Sequence, residues 1–320
     1  MLNISILDLI GHTPIVKLNK IVPHSSASIY VKLEYMNPGG SVKDRPALWM
    51  IRKAEEEGIL KPGMEIIEVT SGNTGISLAM IGALKGYKVT CIIGYDVAPE
   101  KIKLLEIMGV NVVKLPQEWI RKDPNIAFEI AKRMAKEREA YYVNQHENPF
   151  NVDAHYQTTA REIWEQMRGQ IDAFVAGVGT GGTLFGVAKY LKKMKPDIKI
   201  IAVEPKGSKL YKIFKNGMFD YPNEYKQSII EGIGVRKISK IMDTKLIDNI
   251  IVVDDRDAIE TLIKLIRYEG ILSGISGGAN VYAALKVARK LGQGKNVVTV
   301  IPDNTFKYVN VVYEYLKEII

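Results

Sequence analysis

Three short stretches are richer in glycine and polar residues than chain turns require. The first is Gly177-Val178-Gly179-Thr180-Gly181-Gly182-Thr183, between the apolar run DAFVA and the amphipathic stretch TLFGVAKYLKK. Glycines let a backbone approach an anion closely, amides at a helix start point toward it, and the Thr180 and Thr183 hydroxyls can donate further bonds. These are the requirements of a phosphate cradle. The spacing also fits the Gly-x-Gly-x-x-Gly of dinucleotide sites, and Glu204 follows the next apolar run as that fold would demand. The loop by itself leaves the phosphate-bearing ligand open.

The second stretch, Thr70-Ser71-Gly72-Asn73-Thr74-Gly75, separates the run EIIEV from the helical pattern ISLAMIGALKG. Its hydroxyls, amide side chain and helix-start amides suit a carboxylate or a ring oxygen, and a helix cap accounts for only a single polar residue of the set. The third, Asn37-Pro38-Gly39-Gly40-Ser41-Val42-Lys43-Asp44-Arg45-Pro46, leads from IYVKLEY into the next helical pattern. Ser41 or Asp44 could cap that helix and Pro46 suits its first turn, so Lys43 falls at or near the helix start. A cation there opposes the helix dipole, which favours the neutral amine needed to attack an aldehyde. Alone, Lys43 reads as an exposed lysine in a polar loop. With a phosphate cradle and a carboxylate receptor on two other strand ends, it completes a pyridoxal phosphate site for an amino acid. A nicotinamide enzyme would not need the lysine.

The elements that must position these turns alternate. Apolar runs at 29–35, 65–69, 88–93 and 111–115 are followed by helical patterns at about 43–57, 74–85, 99–108 and 124–138. The rhythm resumes with a helix at about 150–168, a run at 172–177, a helix from about 183, and runs at 199–205 and 250–255. Helices near 256–269 and 276–291, a run at 296–301 and a closing helix follow. Such alternation predicts an α/β fold of two doubly wound, mainly parallel sheets in two closely packed lobes, with ligands at strand C-terminal ends. The expected lobes are 37–148, smaller, mobile and substrate-binding, and 1–36 plus 149–320, larger and binding the cofactor phosphate. Closure of the smaller lobe on substrate is expected to exclude water. Residues 206–248 show the weakest periodicity, and NGMFDYPNEY reads as a surface excursion.

The 320 residues, 47% hydrophobic and 25% charged, suit a globular chain. No apolar run approaches the roughly 20 residues of a membrane span, and MLNISILDLIGHTP lacks a basic region ahead of a long apolar one, so a soluble, cytoplasmic chain is expected. Cys91 is the single cysteine, which suits a reducing compartment. His12, His24, His146 and His155 do not fall at zinc-site spacings, so no metal is expected. The +8 charge is spread along helical faces that also carry acids, as in AKRMAKERE, and argues against a nucleic-acid or membrane partner.

These motifs resemble those of the fold-type II pyridoxal phosphate enzymes, which share the tryptophan synthase β-like fold, and within them the cysteine synthase and cystathionine β-synthase branch. The resemblance runs through IGHTPIVKLNKI, YMNPGGSVKDR, EVTSGNTGISLAM, GALKGYKVTCII, QHENPFNVDAHYQTTAREIW, GVGTGGTLFGVAKYLK, VEP, EGIGV, EGILSGISGGAN and VIPDN. It implies that Lys43 holds pyridoxal 5′-phosphate as a Schiff base and that Asn73 bonds the ring oxygen. Gly179, Thr180, Gly181, Gly182 and Thr183 would hold the phosphate. Thr70, Ser71 and Thr74, with Gln145, would bind the substrate carboxylate. The implied reaction has the amino acid displace Lys43, which removes the α-proton; the β-substituent leaves, a nucleophile adds, and Lys43 returns the proton.

The chain departs from the family pattern at Asn304, where serine usually faces the pyridine nitrogen and where an amide could donate to it. Ala160-Arg161 replaces a usual Gly-Pro, and Thr305-Phe306-Lys307 a usual Gly-Glu-Arg. The first expectation is cysteine synthase, joining O-acetylserine or a related activated serine to sulfide. Gly39-Gly40, Glu231 and Pro302-Asp303 are features of the cystathionine β-synthase side. They support as second reading replacement with a larger thiol, or use of cysteine with release of hydrogen sulfide. Glu231 could bind the amino group of a second amino acid, which sulfide lacks. The expected partners are an amino acid and sulfide or a thiol, in a homodimer. The last helical pattern leaves no room for a regulatory module after the core, and none is expected. Intact Lys43, Asn73 and the glycine loop argue against a catalytically idle scaffold.

Overall fold

The computed structural model describes residues 4–95, 97–123, 125–211, 228–235 and 238–319. In chain order its strands are β1 (Ile15–Lys17), β2 (Ser28–Leu33), β3 (Glu65–Val69), β4 (Lys88–Ile93), β5 (Asn111–Lys114), β6 (Tyr141–Tyr142), β7 (Ala173–Gly177), β8 (Lys199–Pro205), β9 (Asn249–Val253) and β10 (Asn296–Ile301). The helices are α1 (Asp44–Glu56), α2 (Asn73–Lys85), α3 (Pro99–Ile107), α4 (Gln117–Lys122), α5 (Ile126–Glu137), α6 (Pro149–Gln157), α7 (Thr159–Gln166), α8 (Gly182–Met194), α9 (Asp255–Lys264), α10 (Ile275–Leu291) and α11 (Val309–Ile319). Contacts divide the chain into a smaller unit, Met1–Ile10 with Asn37–Asn151, and a larger one, Gly11–Met36 with Val152–Ile320. Residues 1–10, assigned by the sequence pattern to the larger lobe, group with the smaller unit, where Leu7 joins the apolar core.

The larger unit holds a sheet in the order β1-β2-β10-β7-β8-β9. Only the pairing of β1 with β2 is antiparallel in it. Its strands are apolar on both faces because each face carries helices. Along β7, Ala173 and Val175 enter one core with α9 and α10 residues such as Leu262 and Ala283, while Phe174 and Ala176 enter a second with Ile163 of α7 and Leu184 of α8. The smaller unit repeats this in an all-parallel sheet ordered β5-β4-β3-β6. Ile66 and Cys91 face Ile51 and Leu78 of α1 and α2, and Ile67 and Ile92 face Ile130 of α5. These are the two doubly wound, mainly parallel sheets that the alternation predicts.

Three features differ from the sequence pattern. The expected single helix at about 150–168 is two, broken where Thr158 leaves helical geometry at φ −117° and turns its hydroxyl back onto the Ala154 carbonyl. β1 and β6 are too short to show a two-residue period, and α4 lies where no helix was expected. The stretch NGMFDYPNEY lies outside the described residues. Among those described, no helix is long and apolar enough to cross a membrane.

The larger unit is also held by a buried ion pair. Lys32 on β2 is fully buried, and its Nζ donates to Glu162 Oε2 at 2.6 Å, the Thr13 carbonyl at 2.6 Å and Gln166 Oε1 at 2.9 Å. Removing the Glu162 carboxylate takes a charged partner at 2.6 Å from a fully buried ammonium. Glu162→Ala is therefore expected to lower unfolding free energy by about 3 kcal/mol in urea titrations. A loss below about 1 kcal/mol, the range of exposed pairs, would show that the Lys32–Glu162 pair does not hold the larger unit together.

Candidate active site

Lys43 is the residue ahead of α1, at φ −73° and ψ −17°, and no side chain caps that helix. Ser41 and Asp44, expected as possible caps, act elsewhere. Ser41 Oγ accepts from the Lys43 amide at 3.3 Å. Asp44 is completely buried, and its two oxygens accept from the Gly39 amide and from the Ser77 hydroxyl of α2, each at 2.5 Å. The Ser77 hydroxyl also lies 3.1 Å from the Asn73 carbonyl. This carboxylate fastens the loop before Lys43, the start of α1 and the start of α2 to one another. Gly39 is required there, since a Cβ would sit 2.3 Å from Asp44 Oδ1.

The turn 70–75 is built on the end of β3. The Thr70 amide donates to the Ile92 carbonyl at 3.0 Å, and Thr70 Oγ1 accepts from the Gly72 amide at 3.0 Å. Gly72, at φ 129°, precedes α2 without a side-chain cap, and Asn73 and Thr74 open the helix. Ser71 is exposed, Asn73 half-buried and Thr74 buried. Thr74 Oγ1 donates to Gln145 Oε1 at 2.7 Å, and Gln145 Nε2 donates to the Val69 carbonyl at 3.0 Å. The smaller unit thus brings Lys43, Thr70, Ser71, Asn73, Thr74 and Gln145 onto adjoining helix starts and strand ends. Hydroxyls, amides and a lysine in this arrangement can receive a carboxylate and a carbonyl carbon.

Sequence reasoning missed two ionisable residues of this region. Glu68, fully buried on β3, has its carboxyl pushed up to about 8 by burial, against the opposing pull of the Gln145 and Val69 amides and of Lys43. His146 is lowered to about 4 by burial and by the Lys43 charge, and its ring meets Phe128 edge-on at 5.4 Å. An acid within an otherwise apolar strand run was the available signal for Glu68.

In the larger unit, the loop Gly177–Thr183 runs from β7 into α8. Gly181 stands ahead of the helix at φ 93°, no side chain caps it, and its first turn contains no acid. Thr180 is buried, with Oγ1 3.5 Å from the Gly182 amide. Thr183 Oγ1 lies 3.3 Å from Nε2 of buried His155, whose Nδ1 is 2.9 Å from Thr159 Oγ1. A side chain at Gly179 would strike the Gly232 carbonyl at 2.3 Å, so the half-buried turn carrying Glu231 packs directly on this loop. Uncapped amides at the start of a 13-residue helix, two threonine hydroxyls and no acid in the first turn form a donor set that fits a phosphate dianion.

Glu204 does not serve as a ribose ligand would; buried, it accepts from the Leu210 and Tyr211 amides at 3.0 and 2.6 Å. Asn304 is half-buried, bridges to Ser273 and uses Oδ1 to accept from the Phe306 amide at 3.2 Å, which leaves Nδ2 as its donor group. Next to it, buried Asp303 accepts from Tyr308 Oη at 2.6 Å.

The raised Glu68 carboxyl has a consequence for stability. The folded chain holds this proton more tightly than the unfolded chain, so the associated stability is present below the ordinary value of 4.5 and is lost as pH rises through about 8. His146 acts in the opposite sense but is neutral in both states well above 6.5. Between about pH 7 and about pH 9, urea-unfolding stability is expected to fall more steeply for the native chain than for Glu68→Gln. Parallel slopes would place the Glu68 carboxylate in an ordinary, solvated range.

Residues 6–303 match the model of a family described as pyridoxal-phosphate dependent enzyme. Cysteine synthase of Staphylococcus aureus is 45% identical over 307 residues, spanning 96% of this chain and 95% of that one. Cystathionine beta-synthase of Apis mellifera is 44% identical over 318 residues, 98% of this chain but 62% of that protein, so the chain spans under two thirds of that relative's length. Among solved structures, a hydrogen sulfide-producing enzyme from Fusobacterium nucleatum superposes with a TM-score of 0.87 at 39% identity, covering 95% of this chain and 99% of that one. The glycine loop before α8, the lysine at the head of α1 and this breadth of similarity agree, and the chain belongs to the pyridoxal-phosphate-dependent enzymes.

Proposed function

We propose that this protein replaces the β-substituent of a serine- or cysteine-like amino acid, and that its main activity is cysteine synthesis from O-acetylserine, or a related activated serine, and sulfide. The observation carrying this reading is the arrangement in the smaller unit, where Asp44 fixes Lys43 beside a turn of hydroxyls and amides suited to an amino-acid carboxylate. The 45% identity to the S. aureus cysteine synthase over nearly its whole length supports the choice of reaction.

In this reading Lys43 would anchor pyridoxal phosphate through Nζ, and Asn73 would bond the ring oxygen. Gly179, Thr180, Gly181, Gly182 and Thr183 would hold the phosphate, and the Asn304 side-chain amide would donate to the ring nitrogen. When bound, the cofactor supplies an electron sink for charge developing at the substrate α-carbon. Lys43 Nζ takes the α-proton and later returns it, so a single amine serves as base and acid. Thr70, Ser71, Thr74 and Gln145 orient the carboxylate, which holds the α-proton within reach of that amine. The smaller unit thereby serves substrate and the larger unit the cofactor phosphate.

A second reading, replacement by a larger thiol or release of hydrogen sulfide from cysteine, is favoured by a specific feature. The Glu231 turn lies against the glycine loop, where a carboxylate can meet the amino group of a second amino acid. The 39% identity to the Fusobacterium hydrogen sulfide-producing enzyme supports it. Assays pairing O-acetylserine with sulfide, and cysteine with homocysteine or with water, separate the two readings by whether sulfide is consumed or released. We also assign a cytoplasmic homodimer. The buried lone cysteine suits a reducing compartment, and exposed Phe306, Val309 and Tyr313 offer apolar surface that a second copy would cover.

Lys43→Ala is expected to fold and to lose turnover by about a thousandfold or more, because a methyl group neither anchors the cofactor nor carries a proton. Near-normal turnover in a folded variant would remove Lys43 from the chemistry. Replacing Thr180 and Thr183 together with valine is expected to weaken cofactor affinity about tenfold or more, read by fluorescence titration. An unchanged affinity would move the phosphate elsewhere.

A further inference from the structure

Gln145 is held on every side. Its amide donates to Glu68 Oε2 at 3.1 Å, its carbonyl accepts from Asn151 Nδ2 at 2.8 Å, and its side chain joins Thr74 Oγ1 at 2.7 Å and the Val69 carbonyl at 3.0 Å. The other Glu68 oxygen, Oε1, accepts from the Val69 amide at 2.7 Å. One fully buried carboxyl group therefore joins the end of β3, from which the turn 70–75 springs, to the residue that faces that turn.

The backbone is bent to permit this. Asn144 adopts the left-handed region at φ 52°, a conformation that asparagine accepts more readily than other non-glycine residues. The Gln145 amide that follows is the one Glu68 accepts. An apolar residue would suit the interior of a parallel strand far better than an acid does. A glutamine in its place offers one acceptor oxygen where two amides need one each, and it turns an amino group toward one of them. The position thus calls for a carboxyl group of glutamate length.

We propose that Glu68 is a positioning residue for the amino-acid substrate: it acts through the main-chain amide of Gln145 to fix the Gln145 side chain and the turn at Thr70–Thr74 as a receptor for the substrate carboxylate. The inference rests on the assignment of that receptor to Thr70, Ser71, Thr74 and Gln145. Glu68 touches neither substrate nor cofactor, so its effect is on amino-acid binding and not on cofactor retention.

The test uses the purified holoenzyme and L-alanine, an amino acid with no β-leaving group, whose binding is followed through the near-visible cofactor band. Glu68→Gln is expected to weaken L-alanine binding and to raise the KM for O-acetylserine about tenfold, as loss of one bond to a buried carboxyl group allows, with kcat and cofactor content nearly unchanged. Hydrogen exchange over 141–148 in the same variant is expected to quicken. Gln145→Ala is expected to weaken binding as well, and the double variant to bind no worse than Gln145→Ala, because Glu68 acts through that residue. Binding by Glu68→Gln within about twofold of the native protein, or losses that multiply in the double variant, would overturn the proposal. Unaltered binding by Gln145→Ala would instead reject the receptor itself. If Glu68→Gln does not fold, Glu68→Asp, which keeps the carboxyl group but withdraws it by a methylene, is judged by the same criteria. Failure of both to fold would assign Glu68 to the core alone and end the proposal.

Discussion

A buried carboxylate must be met by donors, and those that meet Asp44 come from different segments, among them the Gly39 amide in the loop before Lys43 and the Ser77 hydroxyl on α2. An unpaired charge in such a place is destabilising by several kcal/mol, so neither donor can leave without unravelling the other's setting. Lys43 is the residue immediately before Asp44, and Asn73 lies one helical turn before Ser77. The position of the lysine relative to the turn 70–75 follows from this one side chain. The glycine at 39 is part of the same constraint, because any Cβ would occupy the place of the carboxylate.

The two units use opposite means to present polar groups at strand ends. The smaller unit relies on buried carboxyl groups, those of Asp44 and Glu68, that gather main-chain amides and a hydroxyl from segments distant in sequence. The larger unit relies on close backbone approach. Gly179 lies against the Gly232 carbonyl, Gly186 of α8 lies against the Val152 carbonyl, and Gly181 reaches a left-handed conformation just before the helix. Hydroxyl and amide side chains are donors suited to a carboxylate, and backbone amides at a helix start are donors suited to a phosphate. His155, between Thr159 and Thr183, adds a side chain that orients one of the loop's hydroxyls.

Much of this was legible in the sequence because the signals are local. The strand spans 65–69, 88–93, 199–205 and 296–301 coincide with β3, β4, β8 and β10, since runs apolar on both faces mark buried parallel strands. The three polar turns stood out because each interrupts a strand-to-helix passage with residues that the passage does not need. What stayed hidden depends on partners far along the chain. Glu68 meets Gln145 across 77 positions and Asp44 meets Ser77 across 33, and nothing near either acid announces the pairing. The short strands β1 and β6 exist through their neighbours, and the break at Thr158 comes from a hydroxyl competing for a helix carbonyl.

The central claim is that Lys43, and no other lysine, carries the cofactor. Among the lysines it is distinguished by its place at the head of α1 beside the turn 70–75. Borohydride reduction of the holoenzyme converts a lysine–cofactor imine into a stable amine, which peptide mass spectrometry then locates. The account predicts the added phosphopyridoxyl mass on the peptide containing Lys43, in near-stoichiometric amount. The same mass on a peptide lacking Lys43, or none on any lysine of a fully loaded protein, would contradict it.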